Sequence, residues 1–364
     1  GFYESILSNK YQAANTPIPY LISLIPYKIS NKPPDLNSLR IFNSLISLVI
    51  LIVLYYIGKD IFQEKILIVI GLIFFYPYFL KPAFTYYMAI YGILFFFLSI
   101  FILINHSQSE FRWFAVGVFV ALAILSQQFY LVLIPVFIIY LLSSNIHIRK
   151  KVLLSLIFIF PILIMSLPIF ILWKGLTHPD YSFHVIKLAP TNFTAICSVG
   201  GSILIFYFLS IFKELKIKTF IICIFLSVLL NYLFYPDFSI KGGYGKITGY
   251  TFHFLNLLTN FNLYLGIFFR IFFIVVGLYS IFHLITLMLD KEYIIIPLLI
   301  LMFVIGYLFS AFLSERHLLP LNLLLILTSS YLIKSKLLLR LWFIYFLFLG
   351  PLYFINYLFF QPSY

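Results

Sequence analysis

The chain has 364 residues, 63% of them hydrophobic and only 10% charged, where soluble domains run near half apolar and a quarter charged. With a mean hydropathy of +1.09, it carries more apolar surface than a water-soluble fold can bury, and its unbroken apolar runs exclude the alternating pattern of a membrane β-barrel. The formal net charge of +13 comes from basic residues scattered singly or in short groups between apolar runs; they set topology and meet anionic head groups, and form no nucleic-acid-binding stripe.

The expected fold is therefore all-α, a polytopic transmembrane helical bundle in a single transmembrane domain, 1–364. Residues 18–28, PYLISLIPYKI from Pro19 onward, are too short to span and read as an interfacial helix with Tyr20 and Tyr27 at head-group level. Apolar segments follow at 39–57, 66–80, 85–105, 113–126, 129–143, 152–174, 192–212, 217–235, 265–289, 293–312, 318–333 and 341–359, about twelve transmembrane segments in all. Only Gln127 and Gln128 separate the fourth from the fifth, so that pair reads as half-crossings or as a helical hairpin. Both cysteines, Cys197 and Cys223, fall inside apolar runs and read as small core residues.

Charge orients the bundle. Lys59, Lys65, Arg112, Arg149, Lys150, Lys151, Lys213, Lys216, Lys218, Lys291, Lys334, Lys336 and Arg340 occupy six short connections on one side. The opposite side holds fewer cations, spread over longer segments, and the positive-inside rule makes the first set cytoplasmic. Residues 1–38, 175–191 and 236–262 then form external loops, and the working face is the non-cytoplasmic one.

The opening stretch carries the most chemistry. Gly1-Phe2-Tyr3-Glu4 precedes a polar run, then Thr16-Pro17-Ile18-Pro19-Tyr20, then Leu39-Arg40-x-x-Asn43 at the entry to a membrane helix. This order resembles the first external loop of the GT-C superfamily of polytopic glycosyltransferases, including the dolichyl-phosphate-glucose glucosyltransferases and bacterial relatives with undecaprenyl carriers. In that superfamily the loop opens on an acidic pair just past the first transmembrane helix. The resemblance thus implies a first helix and the main catalytic carboxylate just upstream of Gly1, with Glu4 as the fallback base and Tyr3 beside it in the substrate loop. The residue-level alternative for Glu4 is a solvated interfacial carboxylate.

The chemistry asks for such an acid, because the acceptor hydroxyl loses its proton as it attacks the anomeric carbon. Cations must hold the departing phosphate as its charge grows. Ser314-Glu315-Arg316-His317-Leu318-Leu319-Pro320 resembles the superfamily's Arg-Tyr/His-Leu-Leu-Pro element, which implies donor-phosphate contact for Arg316, with His317 beside it. Lys81, in Phe79-Leu80-Lys81-Pro82, is expected at an external turn and is the second candidate. For each, the alternative is a cation snorkelling to the interface.

The loop Trp173-Lys174-Gly175-Leu176-Thr177-His178-Pro179-Asp180-Tyr181-Ser182-Phe183-His184 resembles a substrate-facing stretch of related transferases. His178, Asp180 and His184 have the chemistry to take a divalent metal, but their spacing matches no metal signature, and no cofactor is expected. Gln127 and Gln128 line a lipid-sugar groove or bond between helices. Arg270 is the basic residue well inside an apolar run, and Lys241–Lys246 lacks the strand-to-helix setting of a phosphate cradle.

Two departures from the superfamily stand out. Ala83-Phe84-Thr85-Tyr86-Tyr87-Met88 contains no acid where many members carry one, and Ser126-Gln127-Gln128-Phe129 stands where the dolichyl-phosphate-glucose enzymes have Arg-Gln-Thr-Asn. The expected activity is transfer of a sugar from a polyprenyl- or dolichyl-phosphate to a lipid-linked glycan or protein acceptor, in the plasma membrane or endoplasmic reticulum. The rivals are a flippase or transporter of lipid-linked sugars, which would want more intramembrane charge than Arg270, and an O-antigen-type polymerase, which would want arginines in its large loops.

Overall fold

Every secondary-structure element among the described residues is a helix, as expected where no water is present to satisfy polar groups left outside one. This computed structural model describes residues 18–30, 35–85, 87–105, 109–176, 188–235, 249–289, 295–310 and 315–360. Contacts divide the chain into two compact units, residues 1–61 with 81–184, and residues 62–80 with 185–364.

The first unit contains α1 (Ile18–Ser23), α2 (Ile25–Ser30), α3 (Leu36–Phe62, whose last residue passes to the second unit), the C-terminal half of α5 (Pro77–Phe84), α6 (Ala89–Asn105), α7 (Glu110–Ile124), α8 (Leu133–Ser143) and α9 (Ile148–Trp173). The expected interfacial helix is thus two short helices that break at Leu24. Helix α3 starts at Asp35, whose Oδ1 accepts from the Ser38 backbone N–H at 2.5 Å. That bond holds the Asp35 carboxyl below its usual range. Helices α6 and α7 form a hairpin with Phe95 near Phe119, ring centroids 6.3 Å apart. Helices α7 and α9 approach most closely at Gly117, where a Cβ would run into the Phe158 carbonyl and the Pro161 ring. The outer face of α9 leaves Leu156, Phe160 and Ile164 exposed, an apolar surface suited to lipid.

The second unit contains α4 (Ile66–Phe75), α10 (Pro190–Ile211), α11 (Ile217–Leu233), α12 (Tyr250–Phe261), α13 (Leu263–Leu289), α14 (Ile295–Leu308), α15 (Leu319–Leu332) and α16 (Lys336–Phe360). Helix α10 is its hub and is buried along most of its length. It crosses α13 backbone to backbone: a Cβ on Gly201 would meet the Phe273 carbonyl, and one on Gly277 would meet the Cys197 carbonyl. Each glycine thus sits on the carbonyl of the residue four before the other, the close approach that small residues permit in membranes. Cys197 is buried and unbridged here, as its small size predicts. Part of the stretch read as a 236–262 loop is helical. Helix α12 buries Thr251, Phe252 and Leu255 on one side.

Every apolar segment expected from the sequence contains a helix among its described residues, but length separates them. Among the described residues, five helical stretches are long and apolar enough to cross a membrane, 36–75, 148–173, 190–214, 263–287 and 336–356, or six if the bent pair α5–α6 counts as one. Helix α14 has 14 residues, a rise of about 21 Å against a hydrocarbon core of about 30 Å. At one end of the second unit, Lys65 Nζ donates to the Ile333 carbonyl at 2.8 Å, and Lys336 pairs with Glu64 at 2.6 Å. Two connections from the same charge-rich set therefore meet at one end.

Candidate functional site

In the first unit the site is built around Asn43. Its carboxamide is fully buried, and Nδ2 donates to the carbonyls of Thr85 at 2.9 Å and Tyr87 at 3.1 Å. Its Oδ1 accepts from the Tyr91 hydroxyl at 2.8 Å. One residue on, the Ser44 hydroxyl donates to the Ala83 carbonyl at 2.6 Å. The start of α3 therefore grips the break between α5 and α6. Carbonyls freed where a helix ends need partners in a low-dielectric setting, and these two side chains supply them.

Lys81 lies just ahead of that break. It is not in a turn, as the sequence suggested, but in the last turn of α5, ahead of Pro82. Pro82 lies inside this short helix and costs it one backbone hydrogen bond, so Lys-Pro did not end the helix at once as expected, and the break follows at Thr85. The Lys81 carbonyl accepts from both the backbone N–H and the hydroxyl of Thr85. Lys81 itself is half-buried.

Gln127 and Gln128 come to the same end of this unit. They occupy the connection between α7 and α8, with Gln127 extended and Gln128 opening a short 3-10 turn. Tyr130, fully buried, packs over Gly92, the residue after the Asn43 partner Tyr91, and lies 5.8 Å from Phe96 between ring centroids. The pair thus lies in the connection between two short helices. Trp173 is buried at the end of α9, and Lys174 closes that helix in the left-handed conformation with φ of 53°.

In the second unit, Arg316 and His317 lie in a 3-10 turn, Glu315–Leu318, that leads into α15. Arg316 is exposed and His317 half-buried. The turn is fixed from behind. Tyr307, fully buried in α14, donates its hydroxyl to the His317 carbonyl at 2.6 Å. Asn192, in the first turn of α10, donates to the Tyr307 carbonyl at 2.8 Å and the Ser310 carbonyl at 2.7 Å. Buried leucines at 318, 319 and 321 anchor the next residues. The arrangement repeats that of Asn43: a buried asparagine bonds two carbonyls at a helix end beside a cation-bearing segment. Further into α15, Asn322 donates to the Tyr76 hydroxyl at 2.7 Å.

Arg270 is held between helices α12 and α13. Its Nη2 donates to the Thr259 hydroxyl at 2.9 Å, and its guanidinium lies 4.4 Å from the Tyr235 ring centre. Tyr3, Glu4, His178, Asp180, His184 and the Lys241–Lys246 loop lie outside the described residues. Among the described residues, no group of three metal-ligating side chains occurs.

Sequence reasoning singled out Arg40-x-x-Asn43 but missed Tyr91, Asn192 and Tyr307. Asn192 left one signal, a polar residue just after Pro190 at the mouth of an apolar segment. Its two carbonyl partners lie more than 110 residues away, and no local pattern announces them.

Residues 15–173 match the family model described as dolichyl-phosphate-mannose-protein mannosyltransferase, which is a GT-C-type family. The matched region holds Arg40, Asn43, Lys81, Gln127, Gln128 and Trp173. No curated protein and no solved structure matches the chain.

Proposed function

We propose that the chain transfers a sugar from a polyprenyl-phosphate donor to a lipid-linked glycan or a protein acceptor, on the non-cytoplasmic face of its membrane. The observation that carries the reading is the coincidence of the matched region with the Asn43-gripped break beside Lys81. Lys81 and Arg316 are the cations assigned to the donor phosphate, where a localised positive charge stabilises the leaving group as the glycosidic bond to phosphate breaks. A carboxylate of the opening loop, for which Glu4 is the candidate within this sequence, takes the acceptor proton as the hydroxyl oxygen bonds to the anomeric carbon. Gln127, Gln128 and the loop after Trp173, with His178, Asp180 and His184, are assigned to the sugar and acceptor. A lipid-linked carrier explains why such a site belongs in a bundle whose helices face the bilayer.

The test is release of labelled sugar from polyprenyl-phosphate mannose, glucose and arabinose by the full chain in detergent. Turnover of one donor is expected, with Arg316→Ala and Lys81→Ala each losing tenfold or more, about 1.4 kcal/mol of barrier per factor of ten. No turnover of any donor, together with donor-independent lipid-sugar flipping in vesicles, would overturn the assignment in favour of a transporter.

A further inference from the structure

Arg112 is a buried cation that sugar transfer does not use. It sits one turn into α7, only 8% exposed. Its Nε is shielded from solvent and has no hydrogen-bond partner among the described residues. Glu110, in the same turn, is exposed and makes no ion pair with it. Removing a guanidinium from water without a counter-charge is costly, and the cost falls when an anion takes the open positions.

The surroundings point to the anion's class. Trp113, the residue after Arg112, and Phe137, one turn before Tyr140 in α8, both pack edge-on against Phe158 of α9, which sets the start of α7 and the last turn of α8 on the same stretch of α9. Two residues after Tyr140, the Leu142 carbonyl accepts from Lys151 Nζ at 2.5 Å. Lys151 is half-buried, and exposed Arg149 and Lys150 precede it at the start of α9. The packing of Trp113 on Phe158, ring centroids 6.0 Å apart, keeps α7 and α9 side by side, so the four basic residues gather at one end of the first unit. That end is opposite the Asn43 break, because α6 begins at the break and α6–α7 is a hairpin. The charge bias places it in the cytoplasmic leaflet, where anionic lipids concentrate. A guanidinium fork matches a phosphate oxygen pair, with lysine ammonium groups and a phenol hydroxyl as further donors.

We propose that Arg112, Tyr140 and Lys151 form a phosphate-binding site at the positively charged end of the first unit, occupied by the head group of an anionic phospholipid. It does not depend on the glycosyltransferase reading.

The experiment is native mass spectrometry of the full chain in mixed micelles with phosphatidylglycerol, phosphatidylcholine or inorganic phosphate, alongside thermal unfolding. Retained phosphatidylglycerol and a higher Tm are expected for the wild type, with no response to phosphatidylcholine. Arg112→Gln should bind phosphatidylglycerol about tenfold more weakly, Arg112→Lys should recover part of the loss, and the exposed control Lys213→Gln should be unchanged. An Arg112-dependent response to inorganic phosphate but not to the lipid would overturn the head-group assignment and keep the phosphate site. If Arg112→Gln and Arg112→Lys fold and bind every probe like the wild type, the site does not exist. Should Arg112→Gln fail to fold, Tyr140→Phe with Lys151→Gln carries the same comparison, and unchanged lipid retention there overturns the proposal.

Discussion

At the residue scale, two asparagines hold the segments on which catalysis is proposed to rest. Asn43 makes three side-chain hydrogen bonds from a fully buried position. Replacing it by alanine takes one hydrogen-bond partner each from the Thr85 and Tyr87 carbonyls and the Tyr91 hydroxyl. A buried polar group left unsatisfied costs about 1–3 kcal/mol, so Asn43→Ala is expected to destabilise the protein by roughly 2–4 kcal/mol and to lower Tm in detergent by several degrees. Asn43→Asp retains the acceptor for Tyr91 but loses both donors and sets an anion against two carbonyls. It should therefore be no better than alanine. Equal Tm values for Asn43→Ala and the wild type would show that the break is held by other means. The sequence marked Asn43 through its place in Arg40-x-x-Asn43, but its partners came only from the fold.

At the element scale, the tightest joint is the α10–α13 crossing. Gly201 and Gly277 let two backbones meet, and a side chain on either would have to displace a carbonyl rather than a flexible side chain. Overpacking of this kind costs about 1–3 kcal/mol even when neighbours can relax. Gly277→Leu is accordingly expected to lose folded protein in detergent, by size exclusion, where Gly175→Leu, outside any helix, leaves the yield unchanged. A wild-type elution profile for Gly277→Leu would contradict the close approach. Helix length was harder to read. Apolar runs such as 293–312 predicted full segments, yet α14 stops at Leu308. Its C-terminal carbonyls find Asn192, a distant partner that lets the helix end early without stranded acceptors.

At the scale of the whole molecule, the orientation proposed from the charge bias is open to direct test. The pairing of Lys65 with Ile333 and of Lys336 with Glu64 brings two basic connections to one end of the second unit. The exposed ion pair itself contributes little stability. The useful consequence is topological, and it is accessible to labelling because both native cysteines are buried. In sealed vesicles, Lys150→Cys and Lys213→Cys are expected to react with a membrane-impermeant thiol reagent from the cytoplasmic side, and Lys174→Cys from the other. Reaction of Lys150→Cys and Lys174→Cys from the same side would refute the assigned topology.

The sequence by itself determined the solvent, the helical class and the order of the apolar segments. These follow from composition and from runs of consecutive residues, and a bilayer leaves few alternatives for such a chain. Arg40-x-x-Asn43 and Arg316-His317-Leu318-Leu319-Pro320 were also legible, because each motif is contiguous. The tertiary structure alone decided that Lys81 lies in the last turn of a helix, that Gln127 and Gln128 join two short helices beside the α6 start, and that Asn192 and Tyr307 steady the Arg316 turn. It also showed that Arg112 is enclosed rather than free in a loop. Each depends on which distant carbonyl, ring or backbone arrives opposite a side chain. Hydrogen bonding and burial are set by neighbours in space, and local periodicity does not encode them.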